Sequence, residues 1–188
     1  MSQPRLGRPL RITARCTLLS SPGTESWDHS LPNNGTGMDN NDKIQHTLND
    51  LIEIARDGSE FYTEAASKVD NPELASLFTR MAGHKREIVN GLTADVAAIG
   101  GEPADSGTMA GSMRQAYANL RAALGNKDYA YVAELEEVED RLLEAFRDTI
   151  QDDDTPAAAK AAAQRYLPQV TECHEIMRNR KVALKETR

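Results

Sequence analysis

The chain has 188 residues, a formal net charge of -7 and two cysteines, Cys16 and Cys173. The acidic balance without a basic cluster argues against a nucleic-acid partner. The lack of any run near 18 apolar residues argues against a membrane span. One cysteine near the N-terminus and one within a predicted helix are neither a disulfide framework nor a paired-thiol zinc site, which fits a reducing cytoplasm.

Residues 1–37 differ in composition from the rest of the chain. They are rich in Ser, Pro, Gly and Asn, show no helical period and carry four arginines against two acids. Such a segment buries too little apolar surface to offset its ordering entropy, so we predict a disordered tail before one domain at residues 38–188. Two interpretations stay open for this tail: an organellar transit peptide, or a mis-assigned start with Met38 as the true first residue.

The first predicted helix runs from Asp42 to Val69. Its apolar residues recur at about 100° per residue and form one inner stripe: Ile44, Leu48, Leu51, Ala55, Tyr62, Ala66 and Val69. Glu53, Glu60 and Glu64 lie on the opposite, solvated face, and Asp50 and Asp57 lie at the margin of the stripe. His46 also points outward. Helix one therefore offers no inward acid for a carboxylate-bridged metal pair.

The second predicted helix, Pro72–Ile99, has a proline in its first turn and is ended by Gly100 and Gly101. Lys85 falls within its apolar stripe and His84 at the edge. A connection of residues 102–127 follows, with its own short helical pattern at Met109–Leu124. A connection this long lets helices two and three run parallel, as in ferritin-like folds with one long crossover.

The third and fourth predicted helices cover Asp128–Ile150 and Pro156–Glu186. In helix three, Glu139 lies at helical spacing between two leucines on the inner face, and Glu136 flanks it. In helix four, His174 lies at the edge of the apolar stripe. Its neighbour Cys173 is expected to pack as a small hydrophobe.

The glycine-rich run GGEPADSGTMAG at residues 100–111 precedes the predicted short helix. This run resembles the signature of a bacterial family of ferritin-like four-helix bundles of unknown function. The strings LNDLIE at residues 48–53 and ELEEVED at residues 134–140, and the pair His174-Glu175, are similar to that family as well. The resemblance covers residues 42–185. It implies an all-α, ferritin-like fold and a bacterial cytoplasmic protein, and it implies no activity.

The inward polar residues allow a metal site to be considered. A di-iron carboxylate bundle needs Glu-x-x-His on two helices, and this chain has the motif at neither expected place. The inward candidates are His84, Glu139 and His174, with Tyr62 and Glu136 as neighbours. Three such ligands could hold one iron, manganese or zinc ion and leave a position for water.

A structural interpretation explains the same residues. Lys85 can reach Glu139 across the bundle, and His174 can donate to the same carboxylate, because a buried acid is tolerated when it is paired. This interpretation is favoured and predicts a non-catalytic bundle that acts through association, with a homo-oligomer and a stress-related role among the options. The alternative is a metal-binding protein or a metal-dependent oxidoreductase.

Overall fold

The computed structural model describes residues 39–107 and 127–186. Within these ranges the chain forms four α-helices and no strand. They are α1 (Asn40–Lys68), α2 (Pro72–Ala98), α3 (Lys127–Gln151) and α4 (Ala157–Glu186). The predicted helix bounds differ from these by at most two residues. The predicted tail and the predicted short helix at Met109–Leu124 lie outside the described residues.

Local chemistry explains where α2 begins and ends. The Asn71 side chain accepts hydrogen bonds from the backbone N–H groups of Glu73 (2.9 Å) and Leu74 (3.4 Å). Pro72 occupies the first turn, where its missing N–H costs nothing. At the other end Gly100 adopts a positive φ of 76°, which glycine reaches without steric strain.

Two apolar clusters fill the interior and show the direction of each helix. The first cluster combines the N-terminal halves of α1 and α4 with the C-terminal halves of α2 and α3. The second combines the four opposite halves. The helices α1 and α4 therefore point one way, and α2 and α3 point the other way. This is the parallel arrangement of helices two and three that the long connection predicted.

The buried face of α1 is broader than the predicted stripe. Ile52, Phe61 and Ala65 are fully buried although the stripe did not include them, while the predicted Ala66 and Val69 are only half-buried. The reason is that α1 contacts all three other helices. The stripe of a helix with one neighbour covers a narrower arc.

The first part of the long connection lies along α1. Asn49 bonds it twice, because its amide nitrogen donates to the carbonyl of Glu102 (3.0 Å) and its amide oxygen accepts from the N–H of Ala104 (2.9 Å). About two turns further along the helix, the guanidinium of Arg56 donates to the carbonyl of Ala104 (3.0 Å). The glycine-rich run that carries the family resemblance therefore starts as a segment anchored to α1.

None of the four helices is both long enough and apolar enough to cross a membrane, as judged over the residues that the structure describes.

Candidate functional site

A buried polar cluster lies between the two apolar clusters, halfway along the bundle. Its centre is the pair Lys85 and Glu139, whose side chains are both 0% exposed. Lys85 follows Met81 and Ala82 of the second cluster and precedes Ile88 of the first. Glu139 lies between Leu135 and Leu142 in the same way. Both charged residues occupy positions of the apolar stripe, so helix formation itself turns them inward.

Every oxygen of the Glu139 carboxylate has a partner. The ammonium group of Lys85 donates to Oε2 at 2.7 Å, and the hydroxyl of Tyr62 donates to Oε1 at 2.8 Å. The three residues come from α2, α3 and α1, so this one carboxylate connects three helices. A buried charge is tolerated only when it is paired and hydrogen-bonded, and this cluster meets both conditions.

The cluster also controls the chemistry of its neighbours. Burial raises the pKa of the Tyr62 phenol well above its usual value, and the negative charge of Glu139 raises it further. Burial likewise raises the pKa of the Cys173 thiol to about 11, against the opposing effect of the Lys85 charge. Both groups therefore stay protonated at neutral pH. Since the thiolate is the nucleophilic form, Cys173 is not an activated cysteine.

The structure places the predicted ligand His84 away from Glu139. Its ring atom Nδ1 lies 3.1 Å from the side-chain amide nitrogen of Gln169 and 3.6 Å from a carboxylate oxygen of Glu87. The side chain is 44% exposed. Gln169 also donates to Glu87 at 2.9 Å. His84 therefore belongs to a surface contact between α2 and α4.

The prediction that His174 donates to Glu139 is wrong. His174 Nε2 lies 2.7 Å from Oδ1 of Asp140, the residue next to Glu139 on α3. Glu136, predicted as a neighbour of the site, instead pairs with Lys181 of α4. The predicted neighbour Tyr62 does contact Glu139, and the predicted Lys85–Glu139 pair is present.

The three predicted metal ligands thus have three separate sets of partners. Across residues 39–107 and 127–186, no three His, Cys, Asp or Glu side chains form a group that could hold a metal ion. The ammonium of Lys85 already lies against Glu139, and its positive charge opposes a second cation at this carboxylate. The geometry therefore gives no support to the metal prediction for His84, Glu139 and His174.

Sequence reasoning missed the contacts of Gln169, Asp140 and Lys181. Each is a polar residue at the margin of its helix, where the pattern alone indicates a solvated side chain. Their partners are fixed by how far α3 and α4 are shifted along their axes relative to their neighbours. No local sequence signal encodes that shift.

The family described as "Domain of unknown function (DUF2383)" matches residues 43–152, more than half of the chain. The chain belongs to this family. The matched region spans α1, α2, the long connection and α3, and so it includes Tyr62, Lys85 and Glu139. The last helix, α4, lies beyond it. No curated protein and no solved structure matches the chain.

Membership in this family confirms the resemblance to a domain of unknown function. The glycine-rich run and the strings at residues 48–53 and 134–140 lie within the matched region. The pair His174-Glu175, which also contributed to the resemblance, lies beyond it. The family description names no activity, so the function must be argued from the geometry of the bundle.

Proposed function

We propose that this protein is a non-catalytic, ferritin-like four-helix bundle that acts through association at its outer surface. The observation that carries the proposal is the buried ion pair between Lys85 and Glu139, 2.7 Å apart. In this proposal the pair stabilises the interior and performs no reaction. The ferritin-like arrangement is supported by the common direction of α2 and α3, which a long crossover connects.

The state of the polar cluster supports a structural role. A general acid or base needs a free proton position within reach of a substrate. Both oxygens of Glu139 already accept hydrogen bonds, and Lys85, Glu139 and Tyr62 are all fully buried. A substrate would have to break these bonds and open the bundle before it could reach the carboxylate.

The proposal places the protein in the cytoplasm of a bacterium, as the resemblance implies. The two cysteines of the chain are too few for a disulfide framework, which is typical of proteins in a reducing compartment.

The proposal is tested by the metal content of the full chain, purified without tags or chelators and measured by elemental analysis. We expect far less than one iron, manganese or zinc ion per chain, also after each metal is added back and excess is removed. The matched control is Glu139→Gln, which keeps the size of the side chain and removes its charge.

The opposite result is a tightly bound ion at about one per chain, as a mononuclear site holds, that is lost in Glu139→Gln, His84→Ala and His174→Ala. That outcome would replace the present proposal with a metal-binding protein or a metal-dependent oxidoreductase. Metal retained by all three variants would place the ion elsewhere and would also overturn a metal-free bundle.

A further inference from the structure

A groove opens between α2 and α4 at the end of the bundle where α2 begins and α4 ends. Its volume is about 830 Å³. Leu77, Ile176 and Ala183 supply apolar and small side chains, and Glu73, Arg80 and Arg180 supply charges. On each helix these residues recur at three- and four-residue steps. The groove is therefore bordered by two rows of side chains, one from α2 and one from α4, and both rows face outward.

The groove contains an apolar side chain that the single chain leaves in water. Ile176 is 36% exposed, and one other large hydrophobic residue in the described ranges, Val182, is exposed at 51%. Both belong to the last part of α4. Ile176 lies in the groove, whereas Val182 is not among its lining residues. An apolar centre with charged residues around it is the usual anatomy of a binding surface.

The groove carries charges of both signs, so the groove of one copy is able to pair with the groove of another. Within one chain, a guanidinium nitrogen of Arg180 on α4 lies 3.4 Å from a carboxylate oxygen of Glu73 on α2, so the two charged groups meet at one height along the bundle. Leu77 is one turn beyond Glu73, and Ile176 is one turn before Arg180. Because α2 and α4 run in opposite directions, Leu77 and Ile176 also lie at one height.

A two-fold axis parallel to the helices brings α2 of one copy opposite α4 of another. This operation keeps every residue at its height. It therefore places Leu77 against Ile176 and Glu73 against Arg180, twice in each dimer. A self-complementary patch of this kind is what a two-fold interface requires.

We propose that the groove is the contact surface between two copies of this chain, with α2 of each copy against α4 of the other. This inference rests on the proposed function, because it names the partner for a bundle that acts through association. Burial of the apolar centre supplies the affinity, and the paired charges select the orientation.

The first test compares two exposed positions of α4 by sedimentation velocity of the full chain over a range of concentrations. Wild type is expected to shift from monomer to dimer as the concentration rises. Ile176→Glu introduces a charge into the apolar centre and is expected to weaken dimerisation at least tenfold. Val182→Glu makes the same chemical change outside the groove and is expected to leave dimerisation unchanged. Circular dichroism checks that both variants remain folded.

The second test exchanges charges between copies. The variants Glu73→Arg and Arg180→Glu each place like charges opposite one another in a homodimer, so each alone is expected to lose dimerisation at least tenfold. An equimolar mixture restores both opposite-charge contacts and is expected to form a heterodimer. This rescue cannot arise within a single chain, because each chain of the mixture still carries its own like-charge pair.

The proposed contact between two copies is wrong if the wild-type chain stays monomeric at the highest concentration. It is also wrong if the mixture of variants forms no heterodimer. A dimer that Ile176→Glu does not weaken also overturns it, since the contact would lie elsewhere. Metal analysis of the same samples separates this result from the proposed function. A metal-free monomer removes only the dimer, whereas a dimer with a bound ion removes the non-catalytic proposal.

Discussion

Glu139 shows how much one buried residue depends on its neighbours. Its side chain is fully buried, so its negative charge loses the favourable interaction with water. The ion pair with Lys85 and the hydrogen bond from Tyr62 offset that lost hydration energy. When one partner of such a pair is removed, the other is left buried and uncompensated. The two charges are therefore energetically coupled.

We expect Lys85→Met to lower the free energy of unfolding by about 3–5 kcal/mol, because Glu139 then loses its counter-charge in the interior. Glu139→Leu is expected to lower the free energy of unfolding by a similar amount, because Lys85 then loses its counter-charge in the interior. The double variant Lys85→Met/Glu139→Leu removes both charges and should recover most of the loss. Urea unfolding followed by circular dichroism gives all three values. Strictly additive losses would show that the pair is not coupled.

The Cys173 thiol makes stability depend on alkaline pH. Its ordinary pKa of 9.0 rises to about 11 in the folded chain, mainly through burial. Between these values the unfolded chain releases this proton and the folded chain retains it. The contribution to the free energy of unfolding is therefore complete below pH 9.0 and is lost as pH rises towards about 11. Tyr62, with a raised pKa, acts in the same direction above pH 10.0.

Between pH 9.0 and about 11, we expect the free energy of unfolding to fall less for Cys173→Ala than for wild type. At neutral pH the variant is less stable than wild type, because the substitution leaves a cavity. The measurement is the urea midpoint at several pH values in this window. Equal slopes for the two proteins would contradict a buried, protonated thiol.

Two glycines inside α2 differ in whether a neighbouring side chain leaves room for a Cβ atom. A Cβ built on Gly91 would lie 2.6 Å from Cζ of Tyr166 on α4, so glycine is needed for this close approach. A Cβ on Gly83 would meet nothing within 4 Å. Glycine within a helix costs about 1 kcal/mol relative to alanine, and at Gly83 no contact requires that cost.

The matched pair Gly83→Ala and Gly91→Ala tests this difference. Gly83→Ala is expected to raise the free energy of unfolding by up to about 1 kcal/mol, through helix propensity alone. Gly91→Ala is expected to lower it by about 1–3 kcal/mol, because Tyr166 must move. Adding Tyr166→Leu to Gly91→Ala should relieve the conflict. Thermal unfolding compares the variants, and equal effects at both glycines would rule out the contact with Tyr166.

The whole bundle needs α4, although the family match ends at residue 152. Val170 of α4 belongs to the first apolar cluster, and Cys173 and Met177 belong to the second. Each is almost completely buried. Without α4, both clusters would be open to water along one side of the bundle.

A chain that ends at Asp152 is therefore expected to lose cooperative unfolding and to show less helix by circular dichroism, since exposed apolar surface no longer stabilises α1, α2 and α3. A synthetic peptide of residues 153–186 added to it should restore helix content. A truncated chain that unfolds as cooperatively as wild type would show that the matched region folds independently.

The sequence alone was sufficient for the bounds of the four described helices, for most of their inner faces, and for the common direction of α2 and α3. These properties depend on helical period, end residues and connection length, all of which are local. It also identified Lys85, Glu139 and Tyr62 as inward residues. Which polar residues meet across the bundle was decided only by the tertiary structure. Asp140 meets His174, and Gln169 meets His84, because packing sets the axial shift between helices, and a single helix carries no record of that shift.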